Sequence, residues 1–262
     1  MSEAEYHARP ELSSTEARRI LDSPAKYRWF KDHPQKHESF FDAGSSVHAK
    51  VLGTGYGVVE LDYPDWRTKA AQQERDDVRA EGKIPMLKKD MVEVNLMSES
   101  VLAHPIARAL FEQPGQAEAS VFYTDPLTGV DMRARFDYLP HPTDRRRVAT
   151  DLKTTSGKAD PSGFAKSAAS YGYDVQRGHY LETLEDDSEL VFVVVEKEPP
   201  YLVGVHQLAP EFASMGEVKA KRARELFAEC TASGKWPGYP EQVQLVTAPV
   251  WSVYEFQDKY ES

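Results

Sequence analysis

The period of the hydrophobic residues changes near residue 112, and this change constrains the fold more than any other feature of the sequence. Before it, apolar residues from Asp90 to Glu112 recur at helical spacing, with a break at Pro105. After it, apolar and polar residues alternate in the segments 118–123, 130–138 and 147–153, as in strands with one buried face. The sequence therefore predicts a single domain with a mainly helical N-terminal part, residues 1–112, and a catalytic sheet with flanking helices, residues 113–262.

Turn residues connect the predicted strands. Asp125-Pro126-Leu127-Thr128-Gly129 joins the first two strands into a hairpin. Further along the chain, the pattern predicts a helix, two strands and a long helix that ends at Gly234. These elements span residues 162–184, 190–195, 201–208 and 211–233. The glycine-rich segment 53–64 and the charged helical segment 66–81 interrupt the N-terminal part, and we expect both to be peripheral.

Composition disfavours several classes of protein. The sequence has no run of about eighteen apolar residues, and residues 1–9 are polar, so we expect no membrane span, no secretory signal and a cytoplasmic location. The single cysteine, Cys230, cannot form a disulfide within the chain or supply an iron–sulfur site. The formal net charge of −10 disfavours nonspecific coating of nucleic acid. It does not exclude a nuclease, because metal-binding carboxylates themselves add negative charge.

Polar residues on neighbouring predicted strands point to a metal-dependent catalytic site. Asp137 ends one strand, and Asp151-Leu152-Lys153 lies on the next. Residues two apart on a strand share a face, so Asp151 and Lys153 project together while Leu152 points into the opposite core. Two carboxylates from adjacent strands can bind a hard cation such as Mg²⁺ or Mn²⁺. An ammonium beside that cation can hold the nucleophile as it approaches a phosphodiester.

Four further residues fit such a site, although each also has a simpler interpretation. Glu118 offers another carboxylate from the preceding strand, but a surface position is equally consistent with the pattern. Gln176 and Tyr180 share a helix face, close enough to contact a phosphate or Lys153. His48 lies on a predicted apolar helix, where a lone histidine is more often a core side chain. Spacing alone leaves these alternatives open.

Taken together, these residues resemble the ordered motifs of the RecB-like PD-(D/E)xK nucleases, and more narrowly the nuclease domain of the RecE-type exonucleases. The motif series is Gly44-x-x-x-His48, Glu118, Asp137, Asp151-Leu152-Lys153 and Gln176-x-x-x-Tyr180. Further shared features lie at residues 12–13, 22–27, 102–108, 118–120 and 236–238. One departure is Phe136, which stands where the motif has a proline before the metal-binding aspartate. A proline there acts only on backbone shape, so the departure puts little in doubt.

The resemblance implies an α/β restriction-endonuclease-like core, with helices on both sides of a mixed central sheet and an N-terminal helical region. It implies Mg²⁺, with Mn²⁺ as a possible substitute. The implied metal ligands are His48, Asp137, Asp151 and the backbone carbonyl of Leu152. The implied catalytic residues are Lys153, Asp151, Asp137, Glu118, Gln176 and Tyr180.

The implied activity is 5′-to-3′ digestion of linear double-stranded DNA from free ends, which leaves a 3′ single strand for phage-type homologous recombination. The implied partners are a single-strand annealing protein and further copies of the chain in a ring, a tetramer by resemblance. Arg135, which shares a strand face with Asp137, is a candidate phosphate contact, as are Lys166 and Arg177. The basic cluster of the last predicted helix, residues 219–224, either contacts DNA or forms a solvated face.

Two other functions share this order of motifs. The first is a single-strand nuclease of the CRISPR-associated branch, which commonly holds an iron–sulfur cluster on four cysteines. One cysteine in the chain argues against it. The second is a noncatalytic DNA-binding module of the same fold, and the presence of every motif residue argues against that. The sequence leaves open the oligomer number, the processivity, the end preference, the annealing partner and the metal used in the cell.

Overall fold

A computed structural model describes residues 1, 3–33, 41–53 and 57–261. The N-terminal part is mainly helical, as predicted. Its elements are α1 (Glu3–Ala8), α2 (Ser14–Asp22), α3 (Pro24–Asp32), α4 (Phe41–Leu52), β1 (Val58–Leu61), α5 (Lys69–Ala80), β2 (Ile84–Leu87), α6 (Lys88–Ala103) and α7 (Pro105–Phe111). The elements that follow are β3 (Gly115–Thr124), β4 (Asp131–Pro140), β5 (Val148–Thr155), α8 (Pro161–Tyr171), α9 (Tyr173–Glu182), β6 (Glu189–Glu196), β7 (Val203–His206), α10 (Pro210–Ser233) and α11 (Val250–Tyr260).

Local sequence explains where α2 begins and ends. Ser13 caps its first turn, and Glu16 reaches back to the backbone N–H of Ser13, which completes a capping box. Ser23 ends the helix in an extended conformation, because the following Pro24 disfavours helical backbone in the residue before it. Pro24 then begins α3, where its missing N–H costs no hydrogen bond.

The central sheet has the strand order β3-β4-β5-β6-β7 and mixed directions. Only β5 and β6 run parallel, and the other neighbouring pairs are antiparallel. Helix α6 packs on one face, where Val101 joins a core cluster with Leu152 and Val193. Helices α8 and α9 cover the other face, where Phe136 and Phe192 are fully buried. The predicted mixed sheet between layers of helices is therefore confirmed.

Strands β4 and β5 diverge soon after they meet. They pair at Tyr138 and Thr150, and no further pair joins them within the described residues. Beyond that point the free edge of β4 is occupied by the N-terminal segment. The backbone N–H of Leu12 donates to the backbone carbonyl of Asp131, and the backbone N–H of Arg133 donates to the carbonyl of Leu12. The divergence opens a gap in the sheet between β4 and β5.

The structure differs from the prediction in the segment between α4 and α6. We expected residues 53–64 and 66–81 to be peripheral, but β1 pairs with β2, and Val58 packs against the cluster that contains Val101. Leu61 and Val78 are buried as well. The sequence pattern did not predict this pairing, because β1 and β2 are short and the charged helix α5 separates them in the sequence. Residues 54–56 of the glycine-rich segment lie outside the described residues.

Two further differences concern helices. The helix predicted over residues 162–184 is divided into α8 and α9 by Gly172, which has a φ of +66°, a conformation that favours glycine. Helices α1 and α11 were not predicted. The residues of α11 are not buried, and Trp251, Tyr254 and Tyr260 are all more than 60% exposed. Among the described residues, no helix combines the length and the apolar character that crossing a bilayer requires.

Candidate active site

The gap between β4 and β5 opens into a cleft with a volume of about 1140 Å³. The sheet supplies its floor, α4 supplies one wall, and the N-terminal segment with α2 and α3 supplies another. Residues that the sequence analysis selected and that line this cleft are His48, Glu118, Arg135, Asp137, Leu152, Lys153 and Tyr180. Side chains separated by more than a hundred positions in the chain thus meet in one cavity.

Three of these residues form a cluster of possible metal ligands. Ligand atoms of His48, Glu118 and Asp137 all lie within 4.8 Å of one another. His48 comes from α4, with Nδ1 3.3 Å from Oδ2 of Asp137. Glu118 and Asp137 come from β3 and β4, between the paired residues Ala117–Tyr138 and Ala119–Phe136. Glu118 has a φ of +52°, and such strained backbone in a non-glycine residue is concentrated at functional sites.

The electrostatics of this cluster suit a divalent cation. Burial, together with the neighbouring carboxylate of Asp151, raises the pKa of Asp137 well above its ordinary value. Burial and the Lys153 ammonium lower the pKa of His48, which keeps the imidazole neutral and able to coordinate. A bound cation would relieve the repulsion between the carboxylates. Two carboxylates and a neutral imidazole therefore fit a divalent metal ion.

Asp151 lies beside this cluster and is engaged by two other side chains. Its Oδ2 lies 2.5 Å from Nζ of Lys153, and its Oδ1 accepts a hydrogen bond of 2.5 Å from Nε2 of Gln176. Burial lowers the pKa of Lys153, but Asp151 and Asp137 outweigh it, and the net pKa is raised. Lys153 is therefore a protonated donor. The predicted common face of Asp151 and Lys153 is confirmed by this contact.

The backbone of Leu152 connects the two groups of residues. Its N–H donates to Oδ2 of Asp137 over 2.6 Å, and the same Oδ2 lies 3.3 Å from Nδ1 of His48. The Leu152 side chain is fully buried on the opposite face, as predicted. The cluster of candidate metal ligands is thus linked through one peptide unit to the strand that carries Lys153.

Tyr180 lies in the same cleft but does not contact Lys153. Its ring centroid is 4.8 Å from that of Phe136, and Ser14 lines the same cleft. Burial raises the pKa of Tyr180 well above its ordinary value, so the phenol remains neutral. Gln176 and Tyr180 share a helix face, but only Gln176 contacts Asp151, whereas Tyr180 packs against Phe136 of the sheet.

The three predicted DNA contacts have different surroundings. Nε of Arg135 lies 2.7 Å from Oε2 of Glu118, inside the cleft. Lys166 is exposed on α8 and does not line the cleft. Arg177 is buried, and its guanidinium forms ion pairs with Glu189 of β6 at 2.6 Å and with Glu217 of α10. A contact between Arg177 and DNA is therefore withdrawn, because the side chain is directed into the protein.

The basic cluster of the last predicted helix is also largely occupied. Lys219 pairs with Asp174, Arg222 pairs with glutamates on its own helix, and Arg224 is buried against Asp125. These contacts favour the structural interpretation of this cluster. The buried Asp125 comes from the β3–β4 turn, so Arg224 fastens α10 to the hairpin.

The sequence analysis missed several basic residues of the cleft. Among them, Arg9 pairs with Glu11, and Lys31 pairs with Glu16. Lys197 follows β6, and Arg19 lies exposed on α2 with its guanidinium carbon 4.5 Å from the ring centroid of Phe30. Neither forms an ion pair with a carboxylate within the part of the chain that the structure describes. Lys197 could have been predicted, because it directly follows β6, the buried strand that runs parallel to β5. Nothing in the local sequence distinguishes Arg19 from other helix-surface arginines.

The sheet opens between two strands, with Asp137 on one and Asp151-x-Lys153 on the other, beside a cluster of candidate metal ligands. This arrangement is that of a PD-(D/E)xK nuclease fold. Residues 13–249 match the family described as the PDDEXK-like domain of unknown function (DUF3799), and the chain belongs to this family. The resemblance to PD-(D/E)xK nucleases is thereby confirmed. Helices α1 and α11 lie outside the matched residues.

One of the similar solved structures has the same fold. The crystal structure of a "Putative exonuclease" from Eubacterium rectale is 10% identical, covers 97% of each chain and has a TM-score of 0.62. A phage-related exonuclease from Haemophilus somnus 129PT is 8% identical, with 88% of this chain and 100% of that chain covered and a TM-score of 0.38. At these identities the first structure supports the fold alone. The comparison of the sequence with curated proteins found no match.

Proposed function

We propose that this protein is a metal-dependent nuclease that hydrolyses phosphodiester bonds in DNA. The observation that carries the proposal is the position of the His48, Glu118 and Asp137 cluster beside the Asp151–Lys153 ion pair in one open cleft. Metal ligands next to a protonated lysine form a site for an anionic, hydrolysable substrate. The exonuclease name of the Eubacterium rectale structure agrees with this proposal.

In the proposed mechanism, His48, Glu118 and Asp137 would hold the cation, and the resemblance adds Asp151 and the Leu152 carbonyl to the ligands. We propose Mg²⁺, with Mn²⁺ as a substitute, because both suit oxygen-rich sites. When bound, the cation supplies positive charge to the phosphate oxygens and lowers the pKa of water. Lys153 donates from its ammonium and stabilises negative charge that develops on the reacting phosphate.

The remaining residues fix this donor in place. Asp151 holds the ammonium of Lys153, and Gln176 in turn holds Asp151 through its other oxygen. Tyr180 would act by fixing the wall of the cleft through its packing on Phe136. A correctly oriented charged donor contributes much of the rate enhancement in phosphodiester hydrolysis, because the site is organised before the substrate binds.

We propose linear double-stranded DNA with free ends as the substrate, digested 5′ to 3′ to leave a 3′ single strand for recombination. Within the cleft, Arg19, Arg135 and Lys197 are the proposed phosphate contacts, and Lys166 is a proposed contact outside it. These local positive groups matter more than the net charge of −10, since a phosphate contacts only the groups within a few ångströms.

We also propose that the chain assembles into a ring, a tetramer by resemblance, and that it delivers the 3′ strand to an annealing protein. The exposed aromatic residues of α11 support self-association, because a second copy of the chain could cover the apolar side chains that this helix leaves unburied. Native mass spectrometry tests the assembly. A monomer at micromolar concentration would contradict it.

The nuclease proposal is tested with linear duplex DNA that carries 5′ phosphates, incubated with and without Mg²⁺. We expect the native protein to release nucleotides only with the metal, and Asp151→Ala and Lys153→Ala to be inactive. Lys69→Ala, an exposed lysine on α5, is the matched control and should remain active. Closed circular DNA should resist digestion if the enzyme is an exonuclease. Equal digestion by the native protein and both site variants would contradict the proposal.

A further inference from the structure

The aromatic ring of Tyr173 lies against the ammonium of Lys153. Nζ of Lys153 is 5.0 Å from the ring centroid, within the range of a cation–π contact. Tyr173 also lines the cleft. We propose that Tyr173 is a positioning residue for Lys153, and that its ring holds the ammonium where it meets the phosphodiester. This inference rests on the proposed nuclease function.

A lysine in this site needs more than one contact to be held in place. Its charge is carried on a flexible four-carbon chain, and fixing that chain costs conformational entropy. The ion pair with Asp151 restrains the ammonium, but Asp151 is a single attachment point. The face of the Tyr173 ring provides a second, because its quadrupole attracts a cation over a defined area.

The ring of Tyr173 is itself fixed by the core. It stacks on Phe192 with centroids 5.7 Å apart and planes inclined by 22°, and on Phe164 at 6.2 Å and 24°. Both phenylalanines are buried. The backbone is constrained as well, since Tyr173 begins α9 directly after the left-handed Gly172. The direction of the ring face is therefore set by the fold before any substrate binds.

The ring of Tyr173, and not its hydroxyl, makes these contacts. The hydroxyl has no hydrogen-bond partner in the part of the chain that the structure describes. Burial raises the pKa of Tyr173, so the phenol stays neutral beside the lysine. A phenylalanine at this position should therefore preserve the function of Tyr173, whereas an aliphatic residue should not. This difference separates a cation–π role from a role for the hydroxyl.

The first test compares Tyr173→Phe, Tyr173→Leu and a series of ring-fluorinated phenylalanines at position 173. Tyr173→Phe should retain kcat within about twofold, and Tyr173→Leu should lower kcat by about tenfold with little change in KM. Fluorination weakens the ring quadrupole while nearly preserving its size, so kcat should fall stepwise with each added fluorine. Tyr239→Leu is the matched control, because Tyr239 is an exposed tyrosine that does not line the cleft.

The second test needs no catalysis. In the native protein, the Lys153 Hε protons should be shifted upfield by the Tyr173 ring current, and this NMR shift should disappear in Tyr173→Leu. If the native protein lacks nuclease activity but the shift is present, the proposed function fails while the contact stands. Equal kcat values across the fluorinated series would overturn the positioning role. Identical Lys153 shifts in the native protein and Tyr173→Leu would overturn the contact itself.

Discussion

The carboxylate of Asp137 accepts a hydrogen bond of 2.6 Å from the backbone N–H of Leu152. At this level β4 and β5 have already diverged, so a side chain takes the place of a backbone bond between strands. The same carboxylate belongs to the cluster of candidate metal ligands with His48 and Glu118. One hydrogen bond therefore couples the geometry of the candidate metal ligands to the strand that carries Asp151 and Lys153.

Substitution of Asp137 should change the pH dependence of stability. The folded, metal-free protein raises the pKa of this carboxyl, chiefly through burial, so it binds the proton more tightly than the unfolded chain does. Stability should therefore fall as the pH rises from about 4 through the folded pKa. Asp137→Asn removes this loss and retains an acceptor for Leu152. We expect its metal-free Tm at neutral pH to rise by a few degrees, on the order of 1 kcal/mol.

The measurement is thermal unfolding between about pH 4 and 8, with and without Mg²⁺. Added Mg²⁺ should stabilise the native protein most at the higher pH values, where the carboxylates are ionised, and should have little effect on Asp137→Asn. Parallel pH profiles for the two proteins, or equal stabilisation by Mg²⁺, would contradict the prediction.

Gln176 should affect catalysis through Asp151. Its side-chain amide donates to Oδ1 of Asp151, and both groups are buried. Gln176→Ala frees the carboxylate to rotate away from Lys153, so we expect nuclease activity to fall by about 10- to 100-fold, as is common for residues that orient catalytic groups. Steady-state digestion of linear duplex, with circular dichroism to confirm folding, measures this. Full activity in a folded Gln176→Ala protein would exclude the orienting role.

Lys197 should contribute to DNA binding, because it lines the cleft and has no carboxylate partner among the described residues. Lys197→Ala should weaken the binding of a short duplex and reduce the slope of log Kd against log salt by about one. Fluorescence anisotropy over a range of salt concentrations gives both quantities. Lys69→Ala, on the exposed surface of α5, serves as the control. An unchanged salt slope for Lys197→Ala would remove this residue from the proposed substrate path.

Arg177 should affect stability and not DNA recognition. Its guanidinium is buried and paired with Glu189, so its removal leaves a buried carboxylate without its main partner. We expect Arg177→Ala to lower the free energy of unfolding by about 3 kcal/mol, as measured by urea denaturation. The salt dependence of DNA binding by the folded variant should match that of the native protein. A stable variant with a reduced salt slope would restore the original assignment.

Much of the fold and part of the site follow from local sequence. Asp151 and Lys153 lie on one face and Leu152 lies in the core, because successive side chains of a strand point to opposite faces of the sheet. The start of α2 follows from Ser13 and Glu16, whose hydrogen bonds span one helical turn. Such features depend on a few neighbouring residues, and the sequence is sufficient to predict them.

Other features depend on contacts between distant parts of the chain, and only the tertiary structure decided them. Arg177 has the same basic character as Arg19 in the sequence, yet one is buried against Glu189 and the other lines the cleft. The position of His48 against Asp137 depends on how α4 packs on the sheet. The strand pattern identified Asp137, Asp151 and Lys153. Their environment was decided by packing, because burial and neighbouring charges act through space and not along the chain.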